Sequence, residues 1–596
     1  MEQKYQMKTG MARVWIKSIF IFCIAFLSVT QYIFSQQWPS HINQYKRDIG
    51  ILASDSLQGR YPGTLGDTIA SRYIYNRFIS AGLNLDKPLG IQSFPIRTGV
   101  KPGDENTLST PSQSFDYAID FIPAGFSAST MLNAPVEYCG YGYSINSKNL
   151  SHDDYTNLQL TGKWALIFEG NPFDSIAAYR HNSGNREKVY TAVDKGAAGV
   201  ILIARAGESL VFDSLNLSQV SIPVIIISRK TADILLAPDG VTSAQLDESY
   251  HKSGMEQTFK ISQNLNARCK IEPVFCNTNN IVAELCHQPG NKYIVIGAHY
   301  DHLGMGGPAT SSRTPEVPAV HSGADDNASG IAGIIALAET LSTISENLNY
   351  NFLFVAFGAE EKGLLGSKYF VENLPVPAEN IAMMINLDMI GRMKPDSSLQ
   401  IGGAGTATEF GSLIEIIEKK HRYKLQISNE GYGPSDHASF YAQGIPVLYF
   451  STGAHTDYHT PGDSPDKINY SGIDACLTIV YDFIMELNSN YQLLHFSEAG
   501  PKNPEASRHG GKKVSLGIMP DVANTEIRGL RAEAVTPGKP AYLGGMLAGD
   551  IITAIDGKTV SDIREYMYRL NQLEPGDTVL VDVERNGEKI VLIIKL

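Results

Sequence analysis

Histidine and carboxylate residues follow several apolar runs of this chain that have the composition of buried strands. In chain order they are His299 and Asp301, Asp325, Glu360 and Glu361, Asp388, and His459. The runs that precede them, such as residues 293–298 and 381–387, are nearly continuous in apolar residues, as is typical of parallel strands buried on both faces. Open α/β sheets bind ligands beyond the carboxyl ends of such strands. Imidazole and carboxylate groups at that edge are suitable ligands for a divalent metal ion.

Each of these local patterns also has an ordinary structural explanation. A single His-x-Asp triplet, such as that at His299, is most often a surface pair or a hydrogen-bonded core pair. Asp325 and the two polar residues after it suit a helix N-cap. The pair Glu360–Glu361 suits the acidic first turn of a helix. The metal interpretation is favoured because the same residue types recur at the ends of successive strands.

The candidate metal ligands contain nitrogen and oxygen but no thiolate. They are His299, Asp325, Glu361, Asp388 and His459. This set suits zinc, with cobalt or manganese as substitutes. One tetrahedral catalytic zinc takes three protein ligands and a water, so five ligands exceed the needs of a single ion. Two ions that share one bridging carboxylate account for all of them.

The elements that must position these residues alternate between strand-like and helix-like runs. Helical spacing of apolar residues occurs at residues 331–341, 363–374, 410–420 and 473–487. This alternation predicts an α/β fold with a doubly wound, mostly parallel sheet and helices on both faces.

The net charge and the N-terminal segment indicate which partners the protein can bind and where it is located. The net charge of −13 and the lack of a basic patch exclude nucleic acid as a partner, because its binding relies on clustered Lys and Arg. Residues 1–35 have basic residues followed by the apolar run 18–34, which predicts a secretory signal peptide and a periplasmic or secreted protein. The alternative is an uncleaved segment that anchors the protein to a membrane.

With 596 residues, the chain is too long for one hydrophobic core. The predicted parts are a signal peptide (1–35), a first catalytic segment (36–119), an insert (120–262), a second catalytic segment (263–490), a linker (491–510) and a C-terminal domain (511–596). In the insert, the His-Asp-Asp run at residues 152–154 is predicted to be a solvated turn.

Six motifs in order resemble the co-catalytic di-zinc exopeptidases of metallopeptidase family 28. They are HYDHLG, GADDNASG, AFGAEEKGLLGS, NLDMIGR, SDHASF and YHTPGD. The ligands implied by this resemblance are Asp325 as the bridge between two zinc ions, His299 and Asp388 on one ion, and Glu361 and His459 on the other. Glu360 is the implied general base, and Asp301 is implied to orient the His299 ring. A cis peptide is implied after the bridging residue, between Asp325 and Asp326.

The remaining domains show two further resemblances. The insert pieces GKWALIFEG, KGAAGVILI and PVIIIS resemble a protease-associated domain, which implies a β-rich lid or substrate-shaping module without catalysis of its own. Residues 511–596 resemble a PDZ domain of the bacterial protease type. That resemblance implies that Leu516, Gly517 and Ile518 form a loop that binds the C-terminal carboxylate of a peptide. The alternative is a small β-rich domain that only packs on the catalytic one.

The sequence therefore predicts an exported zinc exopeptidase with peptide substrates. An aminopeptidase that uses a metal-activated water and a glutamate base is favoured over a carboxypeptidase or dipeptidase. Two other classes stay open: a single-zinc aminoacyltransferase similar to glutaminyl cyclases, and a receptor-like binding protein without catalysis. Zinc stoichiometry separates the peptidase from the cyclase.

Overall fold

The computed structural model describes residues 38–596 except 148–149, 174–175, 177–178, 180–182, 254–258, 289, 308–309, 397, 491–492, 500–513 and 522–527. The predicted signal peptide and most of the predicted linker lie outside the described residues. Within the described part of the chain, no helix is long and apolar enough to cross a membrane.

The first catalytic segment supplies two helices and one long strand. They are α1 (Ile42–Leu52), α2 (Leu65–Ser80) and β1 (Gly90–Pro102). Thr64 caps α2, because its hydroxyl accepts a hydrogen bond from the backbone N–H of Asp67. Apolar residues at helical spacing, such as Ile49 in α1 and Ile74 in α2, are fully buried in the main core.

The insert is a separate α/β module with its own sheet. Its elements are β2 (Thr107–Ser109), β3 (Ser114–Phe115), β4 (Phe121–Pro123), β5 (Met131–Tyr138), β6 (Ser144–Ser147), β7 (Leu150–Asp153), β8 (Trp164–Phe168), α3 (Asn185–Asp194), β9 (Gly199–Ile203), β10 (Val224–Ile227), α4 (Arg229–Leu236), α5 (Ser243–Ser253) and β11 (Phe259–Arg268). The strand order is β3-β2-β11-β5-β8-β9-β10-β4. Because β2 pairs with β11, this sheet extends from Thr107 to Arg268, beyond the predicted 120–262.

The predicted solvated turn in the insert is wrong. His152 Nε2 lies 2.6 Å from Asp154 Oδ1, and the Asp154 side chain is buried. The hydroxyl of Tyr250 donates to the same carboxylate at 3.0 Å. The carboxylate is stable there because it is hydrogen-bonded inside the module.

The second catalytic segment completes the main sheet. Its elements are β12 (Ile271–Leu285), β13 (Tyr293–His299), α6 (Gly330–Thr343), β14 (Asn351–Phe357), α7 (Leu365–Glu372), β15 (Ile381–Leu387), β16 (Ser398–Gly402), α8 (Phe410–Lys420), β17 (Lys424–Ile427), α9 (His437–Tyr441), β18 (Val447–Ser451) and α10 (Tyr470–Asn490). The four predicted helical runs correspond to α6, α7, α8 and α10.

The eight strands of the main sheet lie in the order β1-β12-β14-β13-β15-β18-β16-β17. The four central strands, β14, β13, β15 and β18, are parallel, and antiparallel pairs occur toward both edges. Helices α1, α2, α6, α8 and α10 pack on one face, and α7 and α9 pack on the other. The predicted fold class is confirmed. Strands β13 and β14 are buried along their whole length, and β15 and β18 are buried at all positions but one, which explains their nearly unbroken apolar runs.

The C-terminal domain is small and rich in strands. Its elements are β19 (Ile518–Pro520), β20 (Leu530–Val535), α11 (Pro540–Leu543), β21 (Ile551–Ile555), β22 (Lys558–Thr559), α12 (Ile563–Leu570), β23 (Thr578–Arg585) and β24 (Glu588–Lys595). The strand order β19-β20-β21-β23-β24 leaves β19 at the edge of the sheet. The domain has its own core, centred on residues such as Val581 and Ile552.

Candidate metal centre

The predicted site residues gather at the carboxyl edge of the parallel strands. β13 ends at His299, Asp388 follows β15 directly, and the Glu360–Glu361 turn comes three residues after β14. The loop after β18 brings His459 to the same place. His299 is 1% exposed and His459 is 7% exposed, so the cluster is nearly closed to solvent.

One group of ligand atoms surrounds His299. Its Nε2 lies 3.3 Å from Asp326 Oδ1 and 3.5 Å from Asp388 Oδ1. Glu360 Oε2 is farther away, at 4.0 Å from the same nitrogen. Burial alone would lower the pKa of His299, but the negative charges of Glu360 and Asp388 outweigh it and raise that pKa well above its usual value.

A second group surrounds His459. Its Nε2 lies 3.2 Å from Asp326 Oδ2 and 3.2 Å from Glu361 Oε1. Asp326 thus presents one carboxylate oxygen to each group. That is the geometry of a carboxylate that can be shared by two ions.

The spacing in both groups fits bound metal. Zinc–ligand bonds of about 2.0–2.1 Å in tetrahedral geometry place neighbouring ligand atoms roughly 3.3 Å apart. Five carboxylates converge here, three of them buried (Asp301, Asp326 and Asp388) and two partly buried (Glu360 and Glu361). Asp388 Oδ1 is buried without a hydrogen-bond partner in the described structure. Buried negative charge of this density is costly unless cations are bound, so the donor set fits divalent ions.

Asp325 does not join either group. Its Oδ1 accepts hydrogen bonds from the backbone N–H of Gly391 at 2.6 Å and from the Ser329 hydroxyl at 3.0 Å. Its Oδ2 faces His455 Nε2 at 3.3 Å. The structure therefore puts Asp326, and not Asp325, in the place predicted for the bridging ligand. The cis peptide likewise lies one residue later than predicted, between Asp326 and Asn327.

Asp301 supports the site in a different way from the one predicted. Its carboxylate is 3.7 Å from His299 Nδ1, while its backbone carbonyl lies 3.2 Å from that nitrogen. The carboxylate instead accepts the backbone N–H groups of Glu360 at 2.9 Å and Glu361 at 3.2 Å. Asp301 thus fixes the Glu-Glu turn with its side chain and the His299 ring with its main chain.

Glu360 and Glu361 have opposite electrostatic settings. Burial, with the repulsion of Glu361, raises the pKa of Glu360 well above its usual value despite the attraction of His299. Burial also opposes ionisation of Glu361, but hydrogen bonds from His302 and His459 lower its pKa to about 2. The two carboxylates therefore differ in charge environment, since two histidines stabilise the ionised form of Glu361 and burial disfavours that of Glu360.

Three supporting residues were not predicted from the sequence. His302 Nδ1 lies 2.9 Å from Glu361 Oε1, and its place in HYDHLG was a signal that could have identified it. Asp463 accepts the backbone N–H groups of Asp325 and Asp326 at 3.0 Å. Arg60 is 1% exposed and donates to the carbonyls of Tyr300, Ser322 and Gly323, which joins the two loops that carry ligands. Asp463 is the last residue of YHTPGD, so that motif was a signal that could have identified it, whereas Arg60 lies in no pattern that indicates this role.

The predicted carboxylate-binding loop of the C-terminal domain leads directly into the edge strand β19. The Leu516 side chain is fully buried, and the backbone N–H of Gly517 donates to the Ser515 hydroxyl at 3.1 Å. Ile518 pairs with Val535 on the inner side of β19, and no described strand pairs with its outer side.

Family models match three parts of the chain. Residues 280–484 match peptidase family M28, residues 130–235 match the PA domain, and residues 514–596 match the PDZ domain.

Similar proteins are known from several organisms. The probable lipoprotein aminopeptidase LpqL of Mycobacterium tuberculosis is 24% identical over 416 residues, covering 66% of this chain and 70% of that protein. Aminopeptidase YwaD of Bacillus subtilis is 28% identical over 352 residues, covering 56% of this chain and 65% of that protein. The structure of BSAP, a zinc aminopeptidase from Bacillus subtilis, matches 76% of this chain and 95% of its own at 24% identity, with a TM-score of 0.45.

Proposed function

The chain carries a peptidase family M28 domain together with a PA domain and a PDZ domain, and from this premise we propose that it is a zinc aminopeptidase that removes N-terminal residues from peptides. The observation that carries the proposal is the Asp326 carboxylate, which presents one oxygen to the His299 group and the other to the His459 group.

In this proposal Asp326 would be a ligand to both of two zinc ions. His299 and Asp388 would hold one ion, and Glu361 and His459 would hold the other. Asp326 is proposed as the bridging ligand instead of Asp325, because the Asp325 carboxylate accepts hydrogen bonds from Gly391 and Ser329. His302 is close to Glu361 at a hydrogen-bonding distance, so its role is to orient that ligand.

Residues of the site have separate roles in the proposed reaction. When bound, two metal ions supply positive charge that polarises the scissile carbonyl and acidifies the attacking water. Glu360 accepts the proton of that water on its carboxylate and returns it to the nitrogen of the leaving amine. Asp301 positions Glu360 and Glu361 by accepting both of their backbone N–H groups. Arg60 holds the loops behind the ligands through hydrogen bonds to their carbonyl groups.

The proposal predicts two zinc equivalents per chain and hydrolysis of aminoacyl arylamides. Removal of metal by a chelator should abolish turnover, and zinc, cobalt or manganese should restore it. Metal analysis and a panel of arylamides test this, with N-acetylated arylamides as the control, since a free α-amine is required.

Other results of the same measurements would contradict the aminopeptidase proposal and indicate a different function. One zinc equivalent with cyclisation of N-terminal glutamine would indicate the aminoacyltransferase. Cleavage of N-blocked peptides with free C-termini would indicate a carboxypeptidase. Full metal content without any turnover would indicate a receptor-like binding protein.

We also propose that the protein is exported. The support is the basic and apolar pattern of residues 1–35. The mature protein should begin near Gln36, and N-terminal sequencing of protein recovered from the cell envelope or the medium checks this. Retention of residues 1–35 would indicate the membrane-anchored alternative.

The PDZ domain is proposed to bind a peptide C-terminus at Leu516, Gly517 and Ile518. The open side of β19 next to this loop supports addition of a peptide as a further strand.

A further inference from the structure

A cavity of about 240 Å³ opens beside the metal centre, and its walls come from three domains. Each domain contributes lining residues: His302, Glu361 and Lys362 from the catalytic domain, Ser218 from the insert, and Ile563 and Arg564 from the PDZ domain. Since Glu361 is a proposed ligand and lines this cavity, the cavity borders the proposed metal centre. The PDZ domain therefore contributes to the surface that a bound peptide meets.

The start of α12 is fixed against the insert by a buried ion pair. Asp562 caps α12, because its Oδ1 accepts the backbone N–H of Glu565 at 2.7 Å. Its Oδ2 lies 3.0 Å from Arg186 Nη1, and both side chains are at most 8% exposed. Arg186 also donates to the carbonyl of Ser218 at 2.9 Å. This residue thus ties the insert wall of the cavity to the two PDZ residues that follow Asp562.

Further contacts hold the PDZ domain in this position. Arg569 Nη1 lies 2.6 Å from Asp194 Oδ2 on α3, and the hydroxyl of Tyr568 is 3.1 Å from that of Thr191. On the catalytic side, Lys368 Nζ lies 2.9 Å from Glu533 Oε2. A domain bound on two sides places Ile563 and Arg564 at a defined position in the cavity wall.

The charged groups in the cavity wall differ in how they are engaged. The Glu361 carboxylate is already paired with His302 and His459. Lys362 contacts the Tyr61 hydroxyl and lies over the Tyr61 ring, 4.2 Å from its centre. Arg564 is exposed, and among the described residues it has neither an ion pair nor a hydrogen bond. A free guanidinium in this position can bind a carboxylate through two parallel hydrogen bonds.

We propose that Arg564 forms a substrate subsite that binds a carboxylate of the peptide whose N-terminal residue occupies the metal centre. The proposal rests on the aminopeptidase function. The carboxylate belongs either to the C-terminus of a short peptide or to an acidic side chain downstream of the scissile bond. The PDZ domain then selects substrates within the active site itself, in addition to any peptide bound at its own loop.

The test compares kcat/KM for three peptides that share the N-terminal residue giving the fastest arylamide turnover. One is a neutral tripeptide with a free C-terminus, the second is its C-terminal amide, and the third is an amide with glutamate at the third position. The full-length protein should prefer one or both carboxylate-bearing peptides over the neutral amide by about tenfold, as expected of a charged hydrogen-bonded pair. In Arg564→Gln this ratio should fall to about one, mainly through KM. The first and third peptides, each compared with the neutral amide, distinguish the two sources of the carboxylate.

Two further variants control the experiment. Arg528 is an exposed arginine of the same domain that lines a different cavity, so Arg528→Gln should keep the wild-type ratio. Arg186→Gln removes the partner of Asp562 and should reduce the ratio as Arg564→Gln does, because the start of α12 loses its fixed position. A variant that only destabilises the whole protein would change turnover of all three peptides equally and leave the ratio unchanged.

Three results would overturn the subsite. The first is a wild-type ratio near one. The second is a preference that persists in Arg564→Gln, which would place the carboxylate contact elsewhere, as at the Leu516–Ile518 loop. The third is an equal loss for all three peptides in Arg564→Gln. If the wild-type protein hydrolyses no arylamide, the aminopeptidase function fails and the subsite fails with it; a protein active on arylamides but without the Arg564 effect loses only the subsite.

Discussion

Replacing Glu360 by glutamine is expected to lower kcat by about 10²- to 10⁴-fold while both metal ions stay bound. General-base catalysis contributes rate factors of this size, equivalent to ~3–5 kcal/mol in the activation barrier. Glutamine keeps the size of the side chain but cannot accept the proton of the attacking water. KM should change much less, because the contacts of the substrate with the ions and the cavity wall are retained.

The neighbouring substitution Glu361→Gln is the matched control. Glu361 Oε1 lies 3.2 Å from His459 Nε2 in the second ligand group, so its loss should lower metal occupancy first. Added zinc should then restore part of the rate in Glu361→Gln and none in Glu360→Gln. Metal analysis and steady-state kinetics on one arylamide separate the two variants. Near-normal kcat in Glu360→Gln, or loss of metal from it, would contradict the assignment of the pair.

The two adjacent glutamates differ because of the turn that carries them. Asp301 holds the backbone N–H groups of both residues, which fixes the directions of their side chains. Glu361 then meets two histidines, while Glu360 lies 4.0 Å from His299. The opposite shifts in their pKa values follow from these neighbours and not from the sequence around them.

The sequence predicted the edge of the sheet at which the candidate site lies because the central strands are buried on both faces. The apolar run of β13 changes to polar residues at His299. That change marks the end of the buried strand, so the position of His299 at the strand end could be deduced from the sequence. The same reasoning applies to Asp388 after β15. The parallel direction of the central strands follows from the alternation of strands and helices, whereas the strand order was not predicted.

The sequence could not decide between Asp325 and Asp326. Both are buried in a turn that lacks a regular period, where Asp326 has φ −106° and ψ 93°. Adjacent residues in such a turn point in different directions, and only the tertiary hydrogen bonds to Asp325 set which one is directed at the histidines. Arg60 was missed for a related reason, since its carbonyl partners are distant in the chain.

The position of the PDZ domain also could not be deduced from local patterns. Its contacts with α3 depend on single charged residues, such as Arg186 and Asp562, that are ordinary surface residues by composition. Such pairs become recognisable only when both partners are found buried against each other.

Asp326→Asn is expected to weaken both metal sites together. Its two carboxylate oxygens lie 3.3 Å from His299 Nε2 and 3.2 Å from His459 Nε2, and an amide can offer only one oxygen as a ligand. Substitutions around metal ligands typically cost 10- to 100-fold in affinity, so loss of a shared ligand should exceed about 100-fold at one site or both. Metal content after dialysis should fall well below that of the wild-type protein, and turnover should fall with it.

Asp325→Asn should behave differently, although it is the adjacent residue. The amide oxygen can still accept from Gly391 and Ser329, so metal content should stay near two equivalents, with a stability loss of about 1–3 kcal/mol from the changed contact with His455. His459→Ala provides a third comparison, because its ring faces one ligand group and its loss should release mainly one ion. Metal analysis of the three variants, with thermal unfolding to confirm that each is folded, discriminates between the two aspartates. Full metal retention in Asp326→Asn combined with loss of both ions in Asp325→Asn would return the bridging role to Asp325.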